Sequence, residues 1–184
     1  FDQTRMFYGN AFEAFGDMIT VSTEDFAFKT RSRRPPRDRM NALLSFLYAL
    51  LTTDCTAAAE GVGLDPQIGF LHAVRPGRPS LALDLMEEFR PVLAERLALT
   101  LVNRRQIRPK HFDERDGGSV LLNDEGRRLV LGAYQDRKKE EVAHAFLKDN
   151  APLGLFPHLQ ARLLARHLRG DLGHYPPFLS EGPR

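Results

Sequence analysis

The chain has 184 residues, of which 42% are hydrophobic and 27% charged, a balance that suits one substantial packed domain. Its 26 basic and 24 acidic residues leave a net charge of only +2, and its single cysteine, Cys55, excludes an internal disulfide framework. Neither a signal-peptide pattern nor a run of about 20 apolar residues stands out, so a reducing, cytoplasmic setting with no membrane span is expected. The chain opens on Phe rather than Met and is expected to be a piece of a longer protein.

In chain order, residues 5–21 predict a helix, with Phe7, Tyr8, Phe12, Phe15, Met18 and Ile19 spaced along one apolar face. Residues 22–40 break it: Ser22, Thr23 and Asp25 are turn or cap types, and Pro35-Pro36 forbids helix locally. A long Ala- and Leu-rich helix follows from Arg39 to Glu60 and ends at Gly61. Asp65-Pro66 reads as an N-cap with Pro in the first turn of a short helix that closes at His72.

Residues 73–79 are loop. Ser80 caps a helix over about 81–106, which Pro91 should kink. Residues 109–122 hold Asp116-Gly117-Gly118 between Phe112 and Val120-Leu121-Leu122, a small hairpin signal. Asn123 or Asp124 caps a further helix to about Leu147. A Pro- and Gly-rich break lies at 150–157, a last helix covers 158–169, and the tail from His174 is extended. The class is mostly α, with one small hairpin, read as one domain over 1–184: a first helix 1–21, a basic linker 22–40, a helical core 41–178 and a tail 179–184.

Charge carries the first functional signal. The 26 basic residues are 21 Arg and 5 Lys, and Arg offers a planar fork suited to phosphate. They cluster: Arg31, Arg33, Arg34, Arg37 and Arg39; Arg104, Arg105 and Arg108; Arg162, Arg166 and Arg169. Such clusters allow a nucleic-acid surface, although a GC-rich genome also raises Arg usage. Arg162, Arg166 and Arg169 share one helix face, which suits either DNA or a plain surface stripe. Cys55 reads as a small core residue.

The second signal is GFLHAVRPGRPSLALDLMEEFRP, Gly69 to Pro91. Asp84, Glu87 and Glu88 are helical neighbours beside the apolar stripe of Leu81, Leu85 and Phe89. Acids there can simply complement a helix dipole. The loop between His72 and Ser80 can also fold back and bring the imidazole to the acidic helix. One imidazole with carboxylate oxygens suits Mn²⁺ or Mg²⁺ better than Zn²⁺. A third ligand must then come from elsewhere.

The stretches NALLSFLYALL (41–51), GLDPQIGFLH (63–72) and PGRPSLALDLMEEFRPVLAERLAL (76–99) resemble the CRISPR-associated spacer-acquisition integrases, the Cas1 family, nearest subtype I-C. The likeness continues through NRRQI (103–107), GGSVLLNDEGRR (117–128) and QARLLARHLRGDLGHYPPF (160–178), so it spans nearly all of 33–178. It implies a two-domain family protein, β domain first and helical domain second, of which this chain reads as the helical domain only.

The resemblance further implies a metal-dependent DNA endonuclease and integrase, using Mn²⁺ or Mg²⁺, that joins the 3′-OH ends of a prespacer duplex to the CRISPR repeat by transesterification. It implies a homodimer around the small companion Cas2, with the Cas4 nuclease as a further partner, on double-stranded or branched DNA. The family's metal site is a glutamate, a histidine and an acid. The histidine corresponds to His72 and the acid to Glu87, with Asp84 as a second acid nearby. The register that aligns Ala11-Phe12 with the family's Tyr-Phe pair puts Thr4 at the glutamate position, and Glu13 is too far along to replace it. Arg75 and Arg78, flanking the metal loop, are the first DNA-backbone candidates; Arg33, Arg34, Arg162 and Arg166 follow. A chain without its first acidic ligand would alternatively serve as a non-catalytic DNA-binding or assembly subunit.

Overall fold

The computed structural model describes residues 15–21 and 25–178. Most of the predicted first helix, with Thr4 and Glu13, lies outside the described residues; of its described part, 15–17 are helical, with Phe15 and Ile19 buried. The protein is mostly helical, with two small antiparallel hairpins, and it packs as two compact units.

The first unit comprises 1–47 and 95–133. It holds the start of α1 (Arg39–Gly61), α3 (Arg96–Asn103), the hairpin of β1 (Phe112–Arg115) and β2 (Ser119–Leu122), and most of α4 (Asp124–Lys138). Asp38 caps α1, its carboxylate accepting the Asn41 N–H at 2.7 Å. In the hairpin Phe112 faces Leu122 and Arg115 faces Ser119, and Gly117 and Gly118 turn the chain at φ +85° and +72°. Asn123 caps α4 by accepting the Gly126 N–H at 2.9 Å.

The second unit comprises 48–94 and 134–184. It holds the rest of α1, α2 (Ser80–Phe89), a π-helical turn (Arg90–Glu95), the hairpin of β3 (Glu141–His144) and β4 (Asp149–Pro152), and α5 (Phe156–Leu168). Met40, Leu43, Leu47, Leu51, Cys55 and Ala59 recur every three or four residues along α1 and are fully buried. By length and composition alone α1 could cross a membrane; this buried row is what a core helix shows. Burial pushes the Cys55 thiol far up, with the nearby Asp54 and Glu88 carboxylates adding to the effect.

Four expectations need correction. Residues 66–72 form a turn and then bends rather than a short helix, because the N–H groups of 70, 71 and 72 turn to a side chain instead of a helical ladder. Ser80 is the first residue of α2, not its cap; its hydroxyl donates to the Ala73 carbonyl at 3.0 Å. The run 81–106 is not one kinked helix. Pro91 has no N–H for the Glu87 carbonyl, and the ladder widens into the π turn there before α3 resumes. Finally, α4 stops at Lys138 rather than near 147, and 141–152 form a second hairpin in which Glu141 faces Pro152 and His144 faces Asp149. Lys148 takes a left-handed φ of +55° in its turn.

Candidate functional site

The site is built on α2 and on the loop preceding it. Asp84, on the second turn of α2, is the centre. Its Oδ2 accepts the backbone N–H groups of Phe70 and Leu71 at 2.6 and 3.0 Å, and its Oδ1 accepts that of His72 at 2.9 Å. The same Oδ1 lies 2.7 Å from His72 Nδ1. One carboxylate therefore accepts four donors and latches the loop onto the helix. This costs little because the groups it satisfies would otherwise be orphaned.

Gly69 explains the motif's glycine. A Cβ there would sit 2.7 Å from Asp84 Oδ2 and 2.7 Å from the Ser80 carbonyl carbon. Only a residue without a side chain lets the backbone come this close.

A carboxylate only accepts, so His72 Nδ1 carries the hydrogen and Nε2 is left with its lone pair when the ring is neutral. The His72 side chain is 27% exposed and Asp84 only 8%. Glu87 is set about 60° around the helix from Asp84, and Glu88 about 40° to the other side. Glu87 pairs with Arg90, whose Nη1 lies 3.0 and 2.7 Å from its two carboxylate oxygens. Arg90 in turn donates to the Tyr48 hydroxyl at 3.2 Å, and its guanidinium sits over the Tyr48 ring.

Glu88 faces inward. It accepts the Tyr175 hydroxyl on Oε1 at 2.5 Å, and Gln160 Nε2 and the Phe178 N–H on Oε2 at 2.8 and 2.6 Å. Gln160 is fully buried, and its carbonyl oxygen lies 3.0 Å from His144 Nε2. Burial, then the Glu88 carboxylate, hold the Tyr175 hydroxyl far above its ordinary value, so it stays a donor. A cavity of about 300 Å³ is lined by Phe70, Leu71, Asp84, Leu85, Glu88 and Tyr175, among others. Phe70 and Leu71 are 64% and 72% exposed at its rim.

The arginine candidates divide. Arg75, Arg162 and Arg166 are exposed and Arg78 is half-buried in the second unit. Arg33 and Arg34 are exposed in the first, whereas their neighbours are tied into it. Arg31 donates to the Asn41 and Ser45 side chains, Arg37 to the Gly117 carbonyl, and Arg39 to the Asp25 carbonyl and to Glu114. The sequence reading missed the role of Glu88, Gln160 and Tyr175; the i, i+4 spacing of Asp84 and Glu88 was the available signal.

Among the described residues, no three His, Cys, Asp or Glu side chains converge as a metal cluster. The donor chemistry nonetheless suits a hard divalent ion: His72 offers Nε2, Glu87 offers carboxylate oxygens, and Mn²⁺ or Mg²⁺ keeps several waters. Asp84 supplies what a ligating histidine needs on its other nitrogen.

The family description "CRISPR associated protein Cas1" matches residues 7–136. The chain is 65% identical to CRISPR-associated endonuclease Cas1 2 of Rhodospirillum rubrum over 167 residues, 91% of this chain and 48% of that protein. It is 60% identical to CRISPR-associated endonuclease Cas1 1 of Moorella thermoacetica over 182 residues, 97% of this chain and 53% of that one. It is 42% identical to a Cas4 exonuclease/Cas1 endonuclease fusion of Geobacter sulfurreducens, over 94% of this chain and 31% of the fusion.

Among solved structures it resembles a casposase bound to integration product, with TM-score 0.82 and 26% identity over 90% of this chain and 46% of that one. A Cas1 protein of Thermotoga maritima gives 0.80 and 36% over 89% and 50%. A partial Cas6-RT-Cas1–Cas2 complex gives 0.75 and 28% over 94% and 50%. The chain thus spans about half the length of the first two relatives. With the family match covering most of the chain and identities this high, the chain belongs to the Cas1 family of CRISPR-associated proteins.

Proposed function

We propose that this chain is the helical, catalytic-type domain of a spacer-acquisition integrase, of a kind nearest subtype I-C, working on DNA in the cytoplasm. In this reading it is a metal-dependent DNA endonuclease and integrase that inserts prespacer DNA into the CRISPR repeat. A 3′-hydroxyl oxygen attacks a repeat phosphorus; the new P–O bond forms as the bond to the repeat strand's 3′ oxygen breaks, and that oxygen leaves with a proton. The observation that carries the reading is the Asp84 latch, which presents His72 with Nε2 available beside the acid helix that bears Glu87.

His72 and Glu87 would hold Mn²⁺ or Mg²⁺, which supplies charge neutralisation at the phosphate and orientation of the attacking hydroxyl. Asp84 keeps the imidazole in the tautomer that can ligate and fixes its direction. Arg75 and Arg78 beside the loop, with Arg33, Arg34, Arg162 and Arg166, would hold DNA phosphates, each contact steepening the salt dependence of binding. The partners are prespacer and repeat DNA, a second copy of the chain, Cas2 and Cas4. The likeness to a Cas1–Cas2 complex and to a Cas4/Cas1 fusion supports the last two.

One observation favours a second reading, a non-catalytic DNA-binding or assembly subunit. The described residues supply two ligand side chains, and the position that corresponds to the family's first glutamate is Thr4. The test is Mn²⁺-dependent cleavage and strand transfer on branched DNA, comparing this chain with Thr4→Glu. Activity in Thr4→Glu alone identifies an intact scaffold lacking one ligand. Salt-dependent DNA binding without cleavage in either chain selects the assembly role.

A further inference from the structure

Glu88 is the neighbour of the proposed ligand Glu87, yet it takes no part in the reading above. It anchors residues 175–178. Tyr175, Pro176 and Phe178 cross over α2 and α5 as a strap. The Gln160 amide lies within 3.0 Å of Glu88, of the Tyr175 hydroxyl and of the Pro176 carbonyl. The Phe178 ring stacks on Phe89 with centroids 5.4 Å apart and meets Phe156 edge-on at 5.0 Å. His144, 2% exposed, closes the group through Gln160.

The cavity gives this strap a purpose beyond closing the core. Asp84 and Glu88 both line it, beside Leu81 and Leu85, which are buried. Two carboxylate anchors join the apolar packing there, Asp84 to the loop on one side and Glu88 to the strap on the other. Glu87 lies one residue from Glu88, and just beyond it Pro91 and the π turn interrupt the helical ladder. With its ladder interrupted at one end, α2 depends on these anchors as well as on its buried face for its rotation about its own axis. A turn of about 10–20° is enough to spoil a metal constellation.

We propose that Tyr175 and Gln160 are positioning residues which, through Glu88, fix the rotational setting of α2 and hence the place of Glu87 relative to His72. This rests on His72 and Glu87 being the metal donors. The strap therefore acts on metal affinity without touching metal or DNA.

The test is a Mn²⁺ titration of the full chain, read by water-proton relaxation enhancement, on wild type, Tyr175→Phe, Tyr134→Phe and Glu87→Gln. Tyr134 is the control. It too is a tyrosine donating to a carboxylate, Asp54, at 2.8 Å in the same unit, but remote in sequence from the acid motif. The expected result is a loss of about tenfold in Mn²⁺ affinity for Tyr175→Phe, as for other outer partners of metal ligands. Tyr134→Phe should melt earlier by a similar margin with wild-type affinity. Wild-type affinity in Tyr175→Phe, or an equal loss in both tyrosine variants, overturns the strap. Glu87→Gln binding Mn²⁺ as well as wild type overturns the metal site itself, and the strap with it. If Tyr175→Phe does not fold, Glu88→Gln, which keeps the shape and one acceptor oxygen, replaces it; a several-fold loss supports the strap and no change rejects it.

Discussion

Two irregular segments of the second unit are tied down in the same way and come out very differently. The His72 loop, 68–79, hangs from Asp84 and leaves Phe70 and Leu71 in solvent. The strap, 172–178, hangs from Glu88 and buries Phe178 among Phe89 and Phe156. Both anchors are carboxylates one helical turn apart that accept backbone N–H groups. The difference lies in the ring that follows the anchor: one segment puts an aromatic into the core, while the other offers a histidine to the outside. Two of the three acids of DLMEEF are therefore structural clasps. The third, Glu87, is paired with Arg90 at the start of the π turn and is the acid proposed above as a metal ligand.

The largest expected effect separates exchange from clasp. His72→Ala and Glu87→Ala should each reduce Mn²⁺-dependent cleavage to background, while thermal melting moves less than in Asp84→Ala, which removes the acceptor of three loop N–H groups. Asp84→Ala should lose activity and also expose the loop. Parallel activity assays and melts on the three variants check this. A His72 or Glu87 variant that cuts normally defeats the assignment.

The next effect acts on the loop alone. Gly69→Ala places a Cβ against Asp84 Oδ2 and the Ser80 backbone, with no flexible side chain to yield on the backbone side. Overpacking of this kind costs about 1–3 kcal/mol. The loop should relieve it by leaving Asp84, so limited proteolysis should cut near 70–75 much faster while the strap remains protected. Equal protection of the loop in Gly69→Ala and wild type would mean that Asp84 does not hold it.

Much of this was legible in the residues. The apolar spacing of α1 and the Asp116-Gly117-Gly118 turn identify their elements because local signals and packing agree there. His72, Asp84 and Glu87 stand out through the motif. The second hairpin was hidden, because Glu141 and Ala143 continue the helix-forming run Lys138-Lys139-Glu140 and only pairing with 149–152 makes 141–144 strand. The loop at 66–72 was misread for the same reason: Asp65-Pro66 is a fair helix start, but a carboxylate twelve or more residues on captures its N–H groups. Long-range side-chain bonds leave no periodicity. That is also why Glu88 looked like one more acid rather than the partner of a tyrosine 87 positions later.

The smallest effect compares the strap with the rest of the unit by titration. Burial raises the Tyr175 and Tyr134 hydroxyls well above the ordinary tyrosine value, and the carboxylates of Glu88 and Asp54 raise them further. A group whose folded form holds its proton more tightly contributes full stability below the unfolded value, about pH 10. As pH rises past that point the unfolded chain releases the proton and the folded chain does not, so stability falls with pH. The melting temperature should thus drop above about pH 10. Tyrosinate absorbance should show Tyr134 and Tyr175 appearing only with unfolding. Tyr175→Phe and Tyr134→Phe should each remove one late tyrosine and flatten the alkaline slope by a similar amount. Equal slopes there, together with unequal Mn²⁺ affinities, would separate what the strap does for the fold from what it does for Glu87.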